Sequence, residues 1–429
     1  MTTSTPSTAA GFPRSRADAT RTIIAVSIGN ALEWFDIVVY GFLAATIARL
    51  FFPAGDDTVS LLLTLATFGV SFVMRPLGSV VLGAYADRAG RRPALTLSIS
   101  LMMLGTLIIA VAPTYATIGL GAPALLVVAR LIQGFSAGGE FGSSTAFLAE
   151  QDPARRGLYT SWQLASQGVT IILASGFGVL LATALTPDQL LAWGWRVPFF
   201  FGLLIGPVAI YIRRALEESG DFIQAAAAGG ASPLATTFST QKGRVLTAFG
   251  LVTLATIASY TTLFMPTFAI RQLGIPASWS FTATLLVGVI QFSFVPVFGS
   301  LSDRVGRTQV MTPAAVVMLV GIVPAFLLLT TMPSPATLLL VLGSMALVTA
   351  AYLGPMSAAM ADLFPARTRG TGLSISYSFC VTIFGGFAPF IIAWLVGQTG
   401  SNLAPSYYVA FGAAASLVAV LSARRYGLR

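Results

Sequence analysis

The sequence predicts an all-α membrane protein with twelve transmembrane helices in two pseudo-symmetric six-helix bundles. Hydrophobic residues form 55% of the 429-residue chain and charged residues only 9%, and the mean hydropathy is +0.83. Soluble domains carry about 25% charged residues, so lipid is the solvent that suits this chain. Two further observations support the prediction: a series of long apolar segments, and a charged turn that occurs once in each half.

Twelve apolar segments are long enough to cross a bilayer, which takes about 20 helical residues. They lie at 22–51, 59–84, 94–112, 120–149, 158–183, 195–214, 244–271, 279–302, 310–330, 335–362, 370–397 and 405–424. A longer polar stretch separates the sixth segment from the seventh. We therefore predict a tail (1–20), a first bundle (21–215), a cytoplasmic linker (216–243), a second bundle (244–424) and a short tail (425–429).

The distribution of positive charge predicts the orientation in the membrane. The chain has 24 Lys and Arg and a formal net charge of +9. Most of these residues lie in the tails and in alternate loops, which is the positive-inside pattern of membrane proteins. We expect a multi-pass protein of the inner (plasma) membrane, surrounded by the lipid bilayer, with both termini in the cytoplasm and no nucleic-acid partner.

The chain has one cysteine and no histidine. A disulfide framework and a thiolate metal cluster are therefore excluded, and proton chemistry must use carboxylates, because the usual carrier at neutral pH is absent. The sequence also lacks a nucleophile–base constellation and a phosphate-binding loop. We expect a protein that is not an enzyme, binds no metal and has no cofactor apart from the proton as a coupling ion.

The charged turn runs from Gly83 to Arg92 in the first half and from Gly299 to Thr308 in the second. Each copy follows an apolar segment and contains an acid, bases and glycines. The repeat indicates two homologous halves, an architecture of secondary transporters. An acid at this position can bind the N-terminus of a facing helix, because the helix dipole attracts negative charge there. Positive charge in the turn also serves as a topological signal.

Four charged residues lie deep within predicted spans: Glu33 and Asp36 in the first, Arg75 in the second and Arg130 in the fourth. A charge at mid-bilayer costs several kcal/mol, about 3 on insertion scales, so each is a candidate functional residue. The second half offers only bulky polar residues at such depth, namely Tyr260, Gln291, Tyr352 and Tyr377. We therefore expect binding and coupling to depend mainly on the first half.

The deep arginines are candidate anchors for a substrate anion, because a guanidinium pairs bidentately with a carboxylate. Asp36 is ranked above Glu33 as the proton carrier, since it lies nearer to mid-bilayer, and Glu140 is a further candidate in the proton path. The alternative is that these acids and bases form structural ion pairs. The remaining candidate substrate ligands are Asn30, Tyr40, Gln133, Gln163, Gln167 and Tyr352.

Several motifs together resemble the metabolite–proton symporter family of the major facilitator superfamily, whose members carry citrate, 2-oxoglutarate, shikimate, proline or betaine. These motifs are Gly29–Asp36, Met74–Gly78, Arg130–Glu140 and Trp193–Phe199. Two others, Gly121–Leu125 and Tyr159–Gln167, are most similar to the citrate (tricarboxylate) branch. The resemblance covers the whole chain and implies the major facilitator fold.

In that superfamily, charged turns of this kind lock the cytoplasmic face while the carrier is open outward. The resemblance therefore implies a gating role for Asp87, Arg88, Arg91, Glu150, Asp303, Arg304, Arg307 and Asp362. Thr308 replaces the final base of the second copy, so we expect a weaker gate there.

The predicted function is proton-coupled import of a small carboxylate, with citrate or another tricarboxylate as the best candidate, by alternating access in a monomer. The alternatives are a symporter for 2-oxoglutarate or another dicarboxylate, for shikimate, or for a zwitterionic osmolyte. A drug–proton antiporter is a third class. Two deep arginines argue against it, because a cavity for cations should not carry buried positive charge.

Overall fold

A computed structural model describes residues 30–31, 34–89, 91–138, 140–214, 237 and 240–428. These residues form helices joined by short turns, and no β-strand occurs among them. The helices of the first half are α1 (Trp34–Phe42), α2 (Ala44–Phe51), α3 (Asp57–Ala89), α4 (Arg91–Val111), α5 (Gly121–Ser136), α6 (Glu140–Gln151), α7 (Arg156–Ala184) and α8 (Val197–Arg214). Those of the second half are α9 (Lys242–Leu273), α10 (Ala277–Val305), α11 (Arg307–Thr331), α12 (Pro335–Leu363), α13 (Arg369–Cys380), α14 (Ala388–Thr399) and α15 (Ala404–Ala423).

The predicted fold class is confirmed. Within the described ranges, eight helical segments are long and apolar enough to cross a bilayer when α13 and α14 are counted as one, and the bent pair α1–α2 would form a ninth span. Each of the twelve predicted spans corresponds to a helix or to a pair of consecutive helices. Many large apolar side chains point outward, such as Leu204, Leu246 and Val320, which are 73%, 71% and 69% exposed. Lipid is the environment that stabilises such a surface.

Three spans predicted as continuous helices are broken in the structure. The first bends by 70° between α1 and α2. The fourth breaks between α5 and α6, near Gly138, and the eleventh contains a π-helical turn, Val381–Gly386, between α13 and α14. Glycine favours such breaks because it loses more backbone entropy in a helix than other residues do. The spans were located correctly, but their continuity was predicted wrongly.

The two halves meet along a seam between α7 and α10 that is lined by glycine. A Cβ atom on Gly168 would lie 2.7 Å from the carbonyl oxygen of Gly288, and a Cβ on Gly157 would collide with the carbonyl oxygen of Gly299. Small residues at these positions let the two backbones approach closely, which is a common way for membrane helices to pack.

A second contact between the halves joins α3 to the π-helical turn. Pro76 lies inside α3 and has no backbone N–H, so the carbonyl group of Phe72 lacks its usual donor four residues along the helix. The hydroxyl group of Thr382 donates to this carbonyl oxygen at 3.0 Å. A hydrogen bond from the second half thus satisfies a backbone group of the first.

The end of the molecule opposite the charged turns is also closed by contacts between the halves. A Cβ atom on Gly41 of the first span would lie 2.8 Å from Leu263 of α9. Arg271, near the end of α9, forms an ion pair with Asp57 at 3.3 Å. Beside it, Asp56 begins α3 by accepting hydrogen bonds from the backbone N–H groups of Thr58 and Val59, and these bonds hold the pKa of Asp56 below its usual value, the bond from Val59 most strongly.

Candidate functional site

A chain of hydrogen bonds connects the deep arginine of α5 to the deep aspartate of α1. The Nη1 atom of Arg130 donates to Oε1 of Gln133 at 2.8 Å, and Nε2 of Gln133 donates to the hydroxyl oxygen of Thr106 on α4 at 3.0 Å. The hydroxyl group of Thr106 donates in turn to Oδ2 of Asp36. All four side chains are buried. The arginine and the aspartate are therefore coupled through two neutral side chains rather than by direct contact.

The second carboxylate oxygen of Asp36, Oδ1, has no hydrogen-bond partner within the described part of the chain. It faces Gly202 of α8, and a Cβ atom at that position would collide with it. Glycine at 202 thus makes room for the carboxyl group at the contact of α1 with α8. An uncompensated oxygen at such depth is costly, so Asp36 has the environment of a group that can exchange a proton.

Aromatic faces support the positive charge of both arginines. The guanidinium group of Arg75 lies 4.3 Å from the ring centroid of Phe72 and 5.2 Å from that of Trp34. The guanidinium group of Arg130 lies 4.4 Å from the ring centroid of Tyr40 and 5.1 Å from that of Phe68. Cation–π contacts of this kind contribute about 0.5–2 kcal/mol each, and more where water is excluded.

Neither guanidinium group has a carboxylate partner among the described residues. The Nε atoms of Arg75 and Arg130 also lack hydrogen-bond partners there. Glu33 lies outside the described residues. The described residues therefore leave part of the hydrogen-bonding capacity of both guanidinium groups unused.

The second half contributes Tyr260 of α9 to this site. Its ring centroid lies 5.5 Å from that of Phe72 and 6.1 Å from that of Trp34. Tyr260 therefore packs against the same two rings that contact the guanidinium group of Arg75. Its buried hydroxyl group has no partner among the residues that the structure describes. Tyr260 is thus placed to donate a hydrogen bond to a ligand held at Arg75.

Three predicted ligands lie in contacts between helices of the first half. Asn30 donates to the carbonyl oxygen of Gln163 and to the hydroxyl oxygen of Ser166, both at 2.9 Å. The side chain of Gln163 accepts from Thr145 at 2.6 Å. Tyr40 donates to the carbonyl oxygen of Thr64 at 3.4 Å, and its ring also contacts the guanidinium group of Arg130.

The remaining two predicted ligands differ from each other in their hydrogen bonding. Gln167 is partly exposed, and its Nε2 atom has no partner within the described ranges. Tyr352, by contrast, is fully buried in the second half and donates to the carbonyl oxygen of Leu251 at 2.9 Å. Gln167 therefore keeps a free donor, whereas the hydroxyl group of Tyr352 is already engaged.

The second charged turn binds the N-terminus of α7. Both oxygens of Asp303, at the end of α10, accept hydrogen bonds from backbone N–H groups, from Gly157 at 2.7 Å and from Leu158 at 2.9 Å. Arg307 pairs with the same carboxylate at 2.6 Å. The helix dipole adds to the attraction, because the first N–H groups of a helix carry partial positive charge.

Further ion pairs connect the halves around this contact. Asp362 is bound by Arg307, at 3.4 Å, and by Arg156 of the first half. Arg369 of the second half pairs with Glu150 of the first at 3.3 Å. The exposed Arg304 forms no ion pair within the described part of the chain. The side chains of Asp87, Arg88, Arg91 and Glu140 lie outside what the structure describes.

A cavity of about 340 Å³ lies at the opposite end of the molecule, between α3, α9 and α14. Its lining includes Thr58, Phe264 and Arg271. Phe264 lies one helical turn from Tyr260 on α9. The cavity lining therefore begins about one helical turn from the aromatic cluster around Tyr260.

Sequence reasoning missed Thr106 and Gly202 as residues around the deep aspartate and did not assign a role to Tyr260. Thr106 could have been identified from the sequence, because its hydroxyl group lies in the middle of the apolar third span. Gly202 carried no such signal, because its importance depends on the carboxylate that packs against it.

Membrane-spanning helices in two halves, with charged side chains buried where the halves meet, are the architecture of a secondary transporter. The family described as sugar (and other) transporter matches this chain over residues 22–232 and again over 222–423. The chain belongs to this family.

Curated relatives are similar to the chain over nearly its whole length. A citrate-proton symporter of Klebsiella pneumoniae is 41% identical over 92% of this chain and 90% of its own. One of Salmonella typhi is 40% identical over 94% of both chains. An alpha-ketoglutarate permease of Escherichia coli strain K12 is 33% identical, again over 94% of both chains. The predicted resemblance to metabolite–proton symporters, and to their citrate branch, is confirmed.

Solved structures of low sequence identity have the same fold. The crystal structure of a D-xylose-proton symporter superposes with a TM-score of 0.74 at 18% identity and covers 95% of this chain and 97% of its own. The major facilitator fold that the motifs implied is thereby confirmed.

The different surroundings of two buried tyrosines give a stability prediction. Tyr352→Phe removes the hydrogen bond to Leu251 and should cost about 1 kcal/mol, whereas Tyr260→Phe removes no hydrogen bond to a described residue and should leave stability unchanged. The melting temperatures of the two purified variants in detergent test this prediction. Equal melting temperatures for both variants would contradict it.

Proposed function

We propose that the protein is a proton-coupled symporter that imports citrate or a closely related tricarboxylate by alternating access. The observation that carries the proposal is the pair of buried guanidinium groups of Arg75 and Arg130, which have no carboxylate partner among the described residues. A carboxylate from solution would satisfy their donors. The names of the two relatives of 41% and 40% identity given above supply the substrate.

Coupling to protons follows from the charge of the substrate. Moving one negative charge inward against a negative interior costs about 2.3 kcal/mol per 100 mV. A proton that enters with the anion offsets this cost. Asp36 is the proposed proton carrier, because it is buried and linked to Arg130 through Gln133 and Thr106. Glu33 and Glu140 stay as alternative carriers.

The surroundings of the arginines favour a carboxylate over a quaternary ammonium ion such as betaine. Faces of Trp34, Tyr40, Phe68 and Phe72 are already in contact with guanidinium groups. A second cation would meet like charge there. Among carboxylates, 2-oxoglutarate is the alternative substrate, since a relative of that name matches nearly the whole chain.

Other predicted ligands receive different roles. Gln167 and Tyr260 have donor groups that no described residue engages, and we assign them to the substrate. Asn30 and Gln163 position α1 against α7, and Tyr352 stabilises the second half.

Substrate enters from the side of the cavity that contains Arg271. The carrier works as a monomer in the inner membrane with both termini in the cytoplasm.

Loss of either arginine should abolish binding. We expect Arg75→Ala and Arg130→Ala to reduce uptake of labelled citrate into proteoliposomes by at least about tenfold, because a hydrogen bond to a charged group contributes about 1.5–3 kcal/mol. Citrate should raise the melting temperature of the unmodified protein but not that of these variants. Arg425→Ala, at an exposed site, is the control.

The same thermal-shift assay identifies the substrate when it is repeated with tricarballylate, 2-oxoglutarate, succinate, shikimate and betaine. Stabilisation by betaine alone, or normal citrate uptake by both arginine variants, would contradict the proposed site.

Replacing the proton carrier should separate exchange from accumulation. Asp36→Asn cannot release a proton, so we expect it to lose citrate accumulation driven by a pH gradient while it still exchanges internal for external citrate. Both activities are measured in the same proteoliposomes. Asp188→Asn, which changes an exposed acid outside the spans, should behave like the unmodified protein. Gradient-driven accumulation by Asp36→Asn would assign the proton to another group.

The network around Asp303 acts in this proposal as a gate that holds the charged end closed. It connects the first half to the second through backbone N–H groups and ion pairs. The gate must break each time this end opens. Arg304, Asp87, Arg88 and Arg91 complete the proposed gate.

Weakening this gate should expose the seam behind it. Ser161 of α7 is buried and faces Gly299 of α10, so Ser161→Cys reports opening through its rate of maleimide labelling. Adding Asp303→Asn should raise this rate by about tenfold, because hydrogen bonds to a charged group are lost. Asp188→Asn, which removes an exposed acid outside the proposed gate, is the control for charge alone in the same background. Equal labelling rates in the Asp303→Asn variant and the control variant would show that the network has no gating role.

A further inference from the structure

The hydroxyl group of Thr106 has two acceptors for its single proton. It lies in hydrogen-bonding contact with Oδ2 of Asp36 and, at 3.0 Å, with the carbonyl oxygen of Met102 one turn earlier on α4. Its oxygen also accepts from Nε2 of Gln133 at 3.0 Å. A hydroxyl group has one donor and two acceptor positions, so it cannot donate to both acceptors at once.

The two acceptors correspond to the two protonation states of Asp36. When the carboxylate is ionised, Thr106 donates to Oδ2. When Oδ2 carries a proton, it donates to the hydroxyl oxygen, and the hydroxyl proton turns to the carbonyl oxygen of Met102. In both states Gln133 occupies the other lone pair of the hydroxyl oxygen, and every donor has an acceptor. The hydroxyl group rotates, so that its hydrogen bond to Oδ2 is replaced by one to the carbonyl oxygen of Met102, and the hydrogen bond from Gln133 is kept.

We propose that Thr106 is a positioning residue that stabilises Asp36 in both of its protonation states, and that Gln133 connects this switch to the anion at Arg130. This inference rests on the proposed function. When a substrate carboxylate binds Arg130, it competes with Oε1 of Gln133 for the guanidinium group. The amide of Gln133 then changes its hydrogen bonding to Thr106, and binding of the anion is communicated to Asp36.

Few other groups around Asp36 could couple it to an anion bound at Arg130. Arg130 of α5 is the charged group that acts on Asp36 from a neighbouring helix in the described part of the chain, and Arg75 of α3 acts on Arg130. α4 and α8 contribute Thr106 and Gly202, which do not titrate. Tyr40 lies one turn away on the same span as Asp36.

The test uses two substitutions at Thr106 and one matched control. Thr106→Val keeps the shape and removes the hydroxyl group, and Thr106→Ser restores it. Thr284 of α10 is the control position, because it is fully buried and donates to the carbonyl oxygen four residues earlier, at 3.0 Å, just as Thr106 does. No acid contacts Thr284 among the hydrogen bonds of the described chain, so Thr284→Val removes a hydroxyl group of no proposed function.

Transport in proteoliposomes gives the first measurement. We expect Thr106→Val to reduce citrate accumulation driven by a proton gradient by about tenfold, because Asp36 loses a hydrogen bond to its charged form. Exchange of internal for external citrate should change by less than about twofold, since it needs no net proton release. Thr106→Ser and Thr284→Val should match the unmodified protein in both activities. The inference fails if Thr106→Val also does so, or if Thr106→Ser is as impaired as Thr106→Val.

Infrared spectroscopy of the purified protein gives a second measurement that needs no substrate. The carbonyl stretching band of protonated Asp36 is the band in pH-induced difference spectra that disappears in Asp36→Asn. It should shift to higher frequency in Thr106→Val, because the acid loses its acceptor, and stay in place in Thr106→Ser. If the unmodified protein transports no citrate, the proposed function fails, and this band still decides the role of Thr106. An unshifted band in Thr106→Val overturns the inference.

Discussion

Two guanidinium groups buried at the depth of the lipid chains are the constraint on which the rest of this structure depends. Charge at such depth is stable only where the protein supplies partners. Among the described residues, the partners are aromatic faces, the amide of Gln133 and the hydroxyl group of Ser71 rather than a carboxylate in direct contact. This arrangement holds the charge in place without neutralising it. The contacts at both ends of the molecule, and the glycine seam between α7 and α10, enclose the site.

The fold could be predicted from the sequence because lipid imposes a simple rule. Each span needs about 20 apolar residues, and the repeated charged turn identifies the two halves. The deep residues Asp36, Arg75 and Arg130 were detectable for the same reason, since a charge within an apolar span is conspicuous. All three are buried in the structure.

Contacts between helices could not be predicted in the same way, because they depend on how each helix is rotated. The sequence made Asn30 a candidate substrate ligand, but its side chain bonds to the backbone of Gln163 on α7. Tyr352 and Tyr260 looked alike in sequence, yet the hydroxyl group of Tyr352 has a hydrogen-bond partner and that of Tyr260 has none among the residues described. The breaks in three spans arise where glycines let a neighbouring helix approach, which no single helix reveals.

The hydrogen bond from Thr382 to the carbonyl oxygen of Phe72 has a consequence for movement between the halves. Pro76 leaves that oxygen dependent on a donor from the opposite half, and the ring of the same residue carries the guanidinium group of Arg75. A carbonyl group deprived of its partner in a dry interior costs about 1–3 kcal/mol. The halves can therefore separate here at low energy only if water hydrates the carbonyl oxygen of Phe72 as its hydrogen bond to Thr382 breaks. Water therefore reaches the backbone carbonyl oxygen of Phe72 and the guanidinium group of Arg75 in the same movement.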